Sequence, residues 1–184
     1  MKEIPLATDE QDRALVTQCL ENHRDAAGAL VERYQQRLFN VALRMLGNVQ
    51  DAEDVTQTVF LNAFRSIRTY DSRFKFFSWI YRMTVNESLN MLKRRKPTIP
   101  LEDDLDILAP GGGAAADPGD AEDRVGRALM GLKPDDRAVV VLKHFVSFSY
   151  QEIADVLEIP VQTVKSRLFT ARERLRLALG EGVR

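Results

Sequence analysis

Cysteine is almost missing from this chain: Cys19 stands alone among 184 residues. That excludes an intramolecular disulfide framework and points to a reducing compartment, so a cytoplasmic protein is expected. Histidine is nearly as scarce. His23 and His144 are the only two, and neither has a cysteine cluster or His-Glu-x-x-His spacing beside it, so no zinc is expected. No phosphate-cradling glycine loop or nucleophile elbow occurs. The carboxylate groups Asp51, Glu53 and Asp54, and Asp103 with Asp104, are poor metal candidates, because the first opens a helix and the second lies in a linker. The expectation is a protein with no catalytic site and no cofactor. Long apolar runs are lacking too: none approaches the ~20 residues of a membrane span. The first residues, MKEIPLATDEQD, do not read as a signal peptide. An excess of one charge is the last absence. Lys+Arg number 26 against 27 Asp+Glu, a net of −1, which taken whole counts against a nucleic-acid partner.

Resolved along the chain, the charge tells a different story. Residues 1–96 carry +3, residues 97–123 carry −8 and residues 124–184 carry +4. Residues 65–96 alone hold nine bases against Asp71 and Glu87. A polyanion responds to local field, so two basic blocks flanking an acidic one are compatible with nucleic acid after all.

The apolar pattern is helical nearly throughout. Leu30, Tyr34, Leu38, Val41 and Met45 recur at helical spacing within 25–46, and Gly47 suits a C-cap. A second helix is expected to begin near Asn48 to Asp51, with Val55, Val59, Ala63 and Ile67 on one face and carboxylates in its first turn. A third runs from about Phe77 to Arg95 and stops before Pro97. The β-branched run Ala138 to Phe145 is ambiguous, but Pro134 at a first turn and the Leu142/Phe145 stripe favour helix. Residues 97–123 combine four Pro, four Gly and eight acids with little that could form a core, which describes a flexible, self-repelling linker. The fold expected is all-α: two small helical domains, 1–96 and 124–184, joined by that acidic linker. Each core should be modest.

The segment from Tyr150 to Arg172 reads as a helix-turn-helix. Ile153, Ala154 and Leu157 face inward, Ile159 and Pro160 make the break, and Val161, Val164 and Leu168 form the buried stripe of the second helix. Gln162, Thr163, Lys165, Ser166, Phe169, Thr170 and Arg172 are left facing outward. These are groups that read base edges, phosphates and the thymine methyl. In the first domain, eight of the chain's aromatic residues fall within positions 60–81, interleaved with Arg65, Arg68, Arg73 and Lys75. Phe60 and Phe64 are expected in the core, but Tyr70 to Phe77 is too short and too charged to bury every ring. Rings beside cations suit unpaired bases, including a base extruded from duplex. Asn86 and Asn90 could meet base edges, and Lys93 to Lys96 phosphates.

Three segments, DAEDVTQTVFLNAF (51–64), FSWIYRMTVNESLNMLKRR (77–95) and LKPDDRAVVVLKHFVSFSYQEIADVLEIPVQTVKSRLFTARERL (132–175), together resemble bacterial sigma factors of the extracytoplasmic-function group. The resemblance implies partners: core RNA polymerase, promoter DNA and an anti-sigma factor, with no insertion into a membrane. It implies that Asp51, Asp54, Gln57 and Phe60 contact the polymerase clamp, though Asp51 and Glu53 could serve only the helix dipole. It assigns Arg73, Phe74, Lys75, Phe76, Trp79, Arg82, Asn86, Asn90, Lys93 and Arg94 to promoter −10 DNA. Gln162, Thr163, Lys165, Ser166, Arg167, Phe169, Thr170 and Arg172 fall to the −35 element, with Arg167 open to a phosphate or an internal acid instead. Thr170 stands where relatives often carry a base. The linker resembles the strand that the family threads through polymerase, and in free protein it is expected to screen both basic faces. A response-regulator output domain would share the helix-turn-helix, but residues 1–96 lack a receiver's β/α alternation.

Overall fold

The computed structural model describes residues 9–95 and 121–180. Of the expected linker, 97–120 lies outside the described residues, and Ala121 already opens a helix. Eight α-helices are present among the described residues: α1 Asp9–Leu20, α2 Arg24–Leu46, α3 Val49–Ser66, α4 Phe76–Arg95, α5 Ala121–Met130, α6 Pro134–His144, α7 Tyr150–Leu157 and α8 Val161–Leu179. A short 3₁₀ turn, Ile67–Thr69, follows α3.

The boundaries have local causes. Gly47 adopts φ +68 and its N–H closes on the Leu43 carbonyl, ending α2 in the left-handed cap that glycine favours. Asn48 then caps α3 by accepting from the Asp51 N–H. Pro134 opens α6 at a position where its missing N–H leaves no bond unmade. At α7, the Ser149 hydroxyl accepts from the Glu152 N–H while the Glu152 carboxylate accepts from the Ser149 N–H, a reciprocal capping box.

Helices α1 to α4 pack as one bundle around Leu30, Tyr34, Leu38, Val55, Val59, Ile80 and Val85, all nearly inaccessible. Helix α1 went unpredicted, and it is fastened through a polar group: buried Asp12 accepts from the Tyr34 hydroxyl and pairs with Arg33 at 2.7 Å. Helices α5 to α8 form the second bundle around Val139, Val141, Leu142, Ile153, Val164 and Leu168. Ala138 to Leu142 is helical and fully buried, so its β-branched content reflects packing and not a strand.

The two bundles do not keep separate cores. Phe148, 1% exposed, inserts against α4, with ring centroids 5.1 Å from both Phe77 and Tyr81. On the other side, the buried Arg137 of α6 donates to the Met45 carbonyl at the end of α2, and also to Met130 and Leu132 carbonyls at 2.8 and 3.1 Å. Burial pushes its guanidinium down to about 10, still charged at neutral pH. Carbonyls at helix ends supply the negative potential that a buried cation needs. The guanidinium of Arg44 lies 4.2 Å over the Phe145 ring. Gly47 passes so close to Met130 that an added Cβ would meet its sulfur at 2.7 Å. The modest core expected for each domain is thus supplemented by the other domain.

Candidate nucleic-acid interface

The basic, aromatic stretch before α4 is held by its own polar groups. The Phe74 N–H closes a turn on the Asp71 carbonyl, and the Tyr70 hydroxyl donates back to the Phe74 carbonyl at 2.5 Å. Asp71 grips Arg73 through two side-chain nitrogens, at 2.6 to 3.0 Å, and that hydrogen bonding holds its carboxyl below the ordinary range. The turn leaves Phe74 59% exposed. Phe76 departs from the sequence expectation. It is 1% exposed and packs edge-on against Tyr34 and Tyr70, with centroids at 5.6 Å in each case. A ring at the first position of α4 turns inward because the bundle closes there, so Phe76 is a core residue and offers no face to a base. Trp79, half-buried, lies against Tyr70 and Phe76 with one face left toward a cleft.

That cleft has a volume of about 1000 Å³. One wall carries Arg73, Phe74, Lys75, Trp79 and Arg82; the other carries Glu152, Asp155, Glu158 and Pro160. The acidic wall is what sequence reasoning missed. Arg82 donates to Glu158 Oε1 at 2.6 Å and to the Asp155 carbonyl at 2.5 Å, and Lys75 pairs with Glu152 at 3.3 Å. Burial alone would raise the Glu152 carboxyl, but the Ser149 N–H and hydroxyl, aided by Lys75, hold it below its ordinary value. Farther along α4, Asn86, Asn90, Lys93 and Arg94 are exposed. Arg95 folds back to pair with Asp51 at the start of α3.

Asp51 is therefore engaged within the chain, whereas Asp54 and Gln57 face solvent. Phe60 is 9% exposed and stacks on Phe64 with centroids 6.2 Å apart. Its edge floors a groove of about 330 Å³ between α2 and α3, bordered by Gln35, Phe39, Glu53 and Gln57. The groove thus combines an apolar floor with an amide and carboxylate rim.

Helix α8 presents Gln162, Lys165, Ser166, Phe169, Thr170 and Arg172 to solvent, with Phe169 70% exposed. The Ser166 hydroxyl is turned back to the Thr163 carbonyl, and Thr163 is half-buried. Arg167 approaches Asp135 at 3.9 Å, so its internal-acid alternative has a partner at hand. Arg172 lies 3.5 Å from His144 Nε2. Burial and the neighbouring Arg172 and Lys143 lower the His144 pKa, which favours a neutral ring able to accept from arginine.

Two basic helix faces, one beside exposed and half-buried rings and one on a helix-turn-helix, have counterparts in known families. Residues 30–98 match sigma-70 region 2, and residues 122–175 match sigma-70 region 4. The fold and these matches define a sigma-70-type factor, a promoter-specificity subunit of RNA polymerase. Among relatives, the ECF RNA polymerase sigma factor SigW of Bacillus subtilis is 32% identical over 89% of this chain and 94% of its own length. The RNA polymerase sigma-H factor of Pseudomonas aeruginosa is 31% identical over 95% of this chain and 96% of its own. The chain belongs to the extracytoplasmic-function sigma factors. The structure of CnrH in complex with the cytosolic domain of CnrY covers 94% of this chain and 99% of CnrH, at TM-score 0.73 and 25% identity. The sigma factor RpoE bound to the anti-sigma factor NepR from Bartonella quintana shares the fold, at TM-score 0.66 and 20% identity over 85% of this chain and 98% of its own.

Proposed function

We propose that this sigma factor places core RNA polymerase on promoters by three surfaces with separate tasks. The α2–α3 groove, with Asp54, Gln57 and the Phe60 edge, docks on the polymerase clamp. The turn at 71–75 and the exposed face of α4 receive the −10 strand: Phe74 and Trp79 stack on unpaired bases, Asn86 and Asn90 meet base edges, and Lys93 and Arg94 hold phosphates. Helix α8 reads the −35 element in the major groove through Gln162, Lys165, Ser166, Phe169, Thr170 and Arg172. The acidic linker runs through the polymerase between them. Catalysis belongs to the polymerase, and the protein is cytoplasmic; no described helix is long and apolar enough to cross a membrane. An anti-sigma factor is a further expected partner, and a stress or envelope-response regulon the expected target.

The observation that carries this reading is the exposed set of polar, basic and aromatic side chains on α8, which stands on a helix-turn-helix with a capped first helix and a buried inner side. Strand capture by stacking would stabilise melting by about 1–3 kcal/mol per base held. Transcription in vitro with core polymerase over a genomic promoter library should show initiation that depends on this protein. No such initiation on any promoter would refute the assignment.

A further inference from the structure

Phe74 and Trp79, the two rings given to the −10 strand, are both held by a residue not itself assigned to DNA. We infer that Tyr70 is a positioning residue for strand capture: its hydroxyl fixes the Phe74 carbonyl while its ring backs Trp79. Two stacking faces then stand in place before a base arrives. The inference rests on the reading of α4 and its preceding turn as the −10 face.

An exposed phenylalanine on a short turn does not hold itself out. Phe74 keeps 59% of its surface in solvent, and burial of a phenyl ring is favourable. A free turn would fold that ring down onto the nearest apolar surface. Three hydrogen bonds oppose this. The Phe74 N–H donates to the Asp71 carbonyl and the Arg73 N–H to the Asp71 carboxylate, each at 3.0 Å. These two close the turn on itself, as aspartate commonly does, and both partners move with it. The third differs in kind. The Tyr70 hydroxyl donates to the Phe74 carbonyl at 2.5 Å, and the Tyr70 ring is anchored in the bundle.

That anchor is aromatic. The Tyr70 ring meets buried Phe76 edge-on with centroids 5.6 Å apart, and lies 5.4 Å from Trp79. Phe76 in turn meets Tyr34 edge-on at 5.6 Å, and the Tyr34 hydroxyl donates to buried Asp12 of α1. A line of contacts thus runs from α1 through the first bundle's core to the turn. Edge-on ring pairs prefer a definite geometry, so the hydroxyl is delivered to one place. The Tyr70 N–H, closing on the Ile67 carbonyl at 3.2 Å, fixes its backbone as well. Burial pushes the Tyr70 hydroxyl above its ordinary pKa, which keeps it a donor at neutral pH. A turn already ordered spares the strand the cost of ordering it on binding.

The test is a double-mutant cycle in the holoenzyme with Tyr70→Phe, Phe74→Ala and the two combined. Tyr70→Phe keeps the ring and removes only the hydroxyl. The probe is a fork-junction DNA from a promoter this protein initiates on, duplex through the −35 element and single-stranded across the −10 element. The matching full duplex, held at low temperature, reads closed-complex binding. Tyr70→Phe should weaken fork-junction binding roughly fivefold, the worth of one net hydrogen bond, and leave duplex binding unchanged. Phe74→Ala should weaken fork-junction binding at least as much. Adding Tyr70→Phe to Phe74→Ala should then cost nothing further, because the hydroxyl acts through the ring it positions. Wild-type fork-junction affinity in Tyr70→Phe, with Phe74→Ala impaired, would overturn the positioning role and leave the −10 reading standing. Additive losses, or an equal loss on duplex, would show Tyr70 acting directly or through the fold at large, and would also overturn it. No loss in Phe74→Ala would remove Phe74 from the −10 reading, and the positioning role with it.

Discussion

The two basic faces of this sigma factor are built from the same residue types but are engaged within the chain to different degrees: acids pair with Lys75 and Arg82 near the start of α4, while Lys93 and Arg94 at its far end stay exposed. On α8, Lys165, Gln162 and Phe169 point to solvent from a helix whose inner side, Val164, Leu168 and Ala171, is fully buried. On α4 and the turn before it, Arg82, Lys75 and Arg73 are each already paired with an acid. A helix in the major groove reads duplex DNA from outside and can be ready in the free protein. A site for an unpaired strand has no ligand until the duplex opens, and an uncovered cluster of cations and rings would hold any single strand it met. Basic composition thus marks a candidate nucleic-acid face without saying whether that face is available.

The largest expected effect comes from breaking the joint that permits this difference. Arg137→Met removes the guanidinium that ties α6 to the end of α2, leaving the carbonyls of Met45, Met130 and Leu132 short of a donor. Buried acceptors left unsatisfied cost about 1–3 kcal/mol each in the limit where water cannot replace the donor. Water reaching a loosened joint would lower the total, so a loss of roughly 3 kcal/mol is expected in urea denaturation. The bundles should also begin to unfold separately. A single transition at the wild-type midpoint would show that the joint contributes nothing and that closure depends on the Phe148 seam alone.

That joint was the least legible part of the chain. The helices themselves could be read because their signals are local: Gly47 ends α2, Asn48 starts α3, and apolar residues at helical spacing line the buried face of each. The outward set on α8 was legible for the same reason, since burial of Val164 and Leu168 dictates what remains exposed. Phe76 was misassigned because composition shows that rings are abundant but not which of them the bundle encloses. Arg137 gives no local signal, as its partners are carbonyls at 45, 130 and 132, of which one lies 92 positions away. Glu158 did leave a trace: a glutamate at the turn of a helix-turn-helix, where a left-handed residue is needed, is out of place. In the folded chain its carboxylate pairs with Arg82 across the cleft, a partner 76 positions away that no local pattern could show.

A paired experiment sharpens the contrast between the faces at the next level of effect. Lys165→Ala should weaken −35 binding by roughly 1–3 kcal/mol if its ammonium reads a base edge, and the loss should be present in closed complexes. Asn86→Ala should leave closed-complex binding nearly intact and reduce strand opening, read as permanganate reactivity of unpaired thymines, because an unpaired base exists only after melting. Equal losses at both stages for Asn86→Ala would mean that it contacts duplex DNA. Unchanged affinity of Lys165→Ala on every −35 sequence would mean that α8 does not lie in the groove as assigned.

The smallest effect isolates the charge across the cleft from the cap beneath it. Glu152 serves both, closing the Ser149 capping box and pairing with Lys75. Its carboxyl lies below the ordinary 4.5 in the folded chain. A depressed carboxyl adds stability that is fully present above its unfolded pKa and is lost as pH falls through the folded one. The contribution should be constant from neutrality down to about pH 5.5 and fade below about pH 4.5. Glu152→Gln can still complete the capping box but cannot form the ion pair, worth at most about 1 kcal/mol at a partly exposed site. Urea midpoints at neutral pH and at about pH 3.5 should therefore differ less in Glu152→Gln than in wild type. Addition of salt at neutral pH should narrow the gap between the two proteins, because screening weakens the pair and not the cap. An identical acid response in both would place the lost stability on other carboxylates and leave the Lys75 pair without energetic weight.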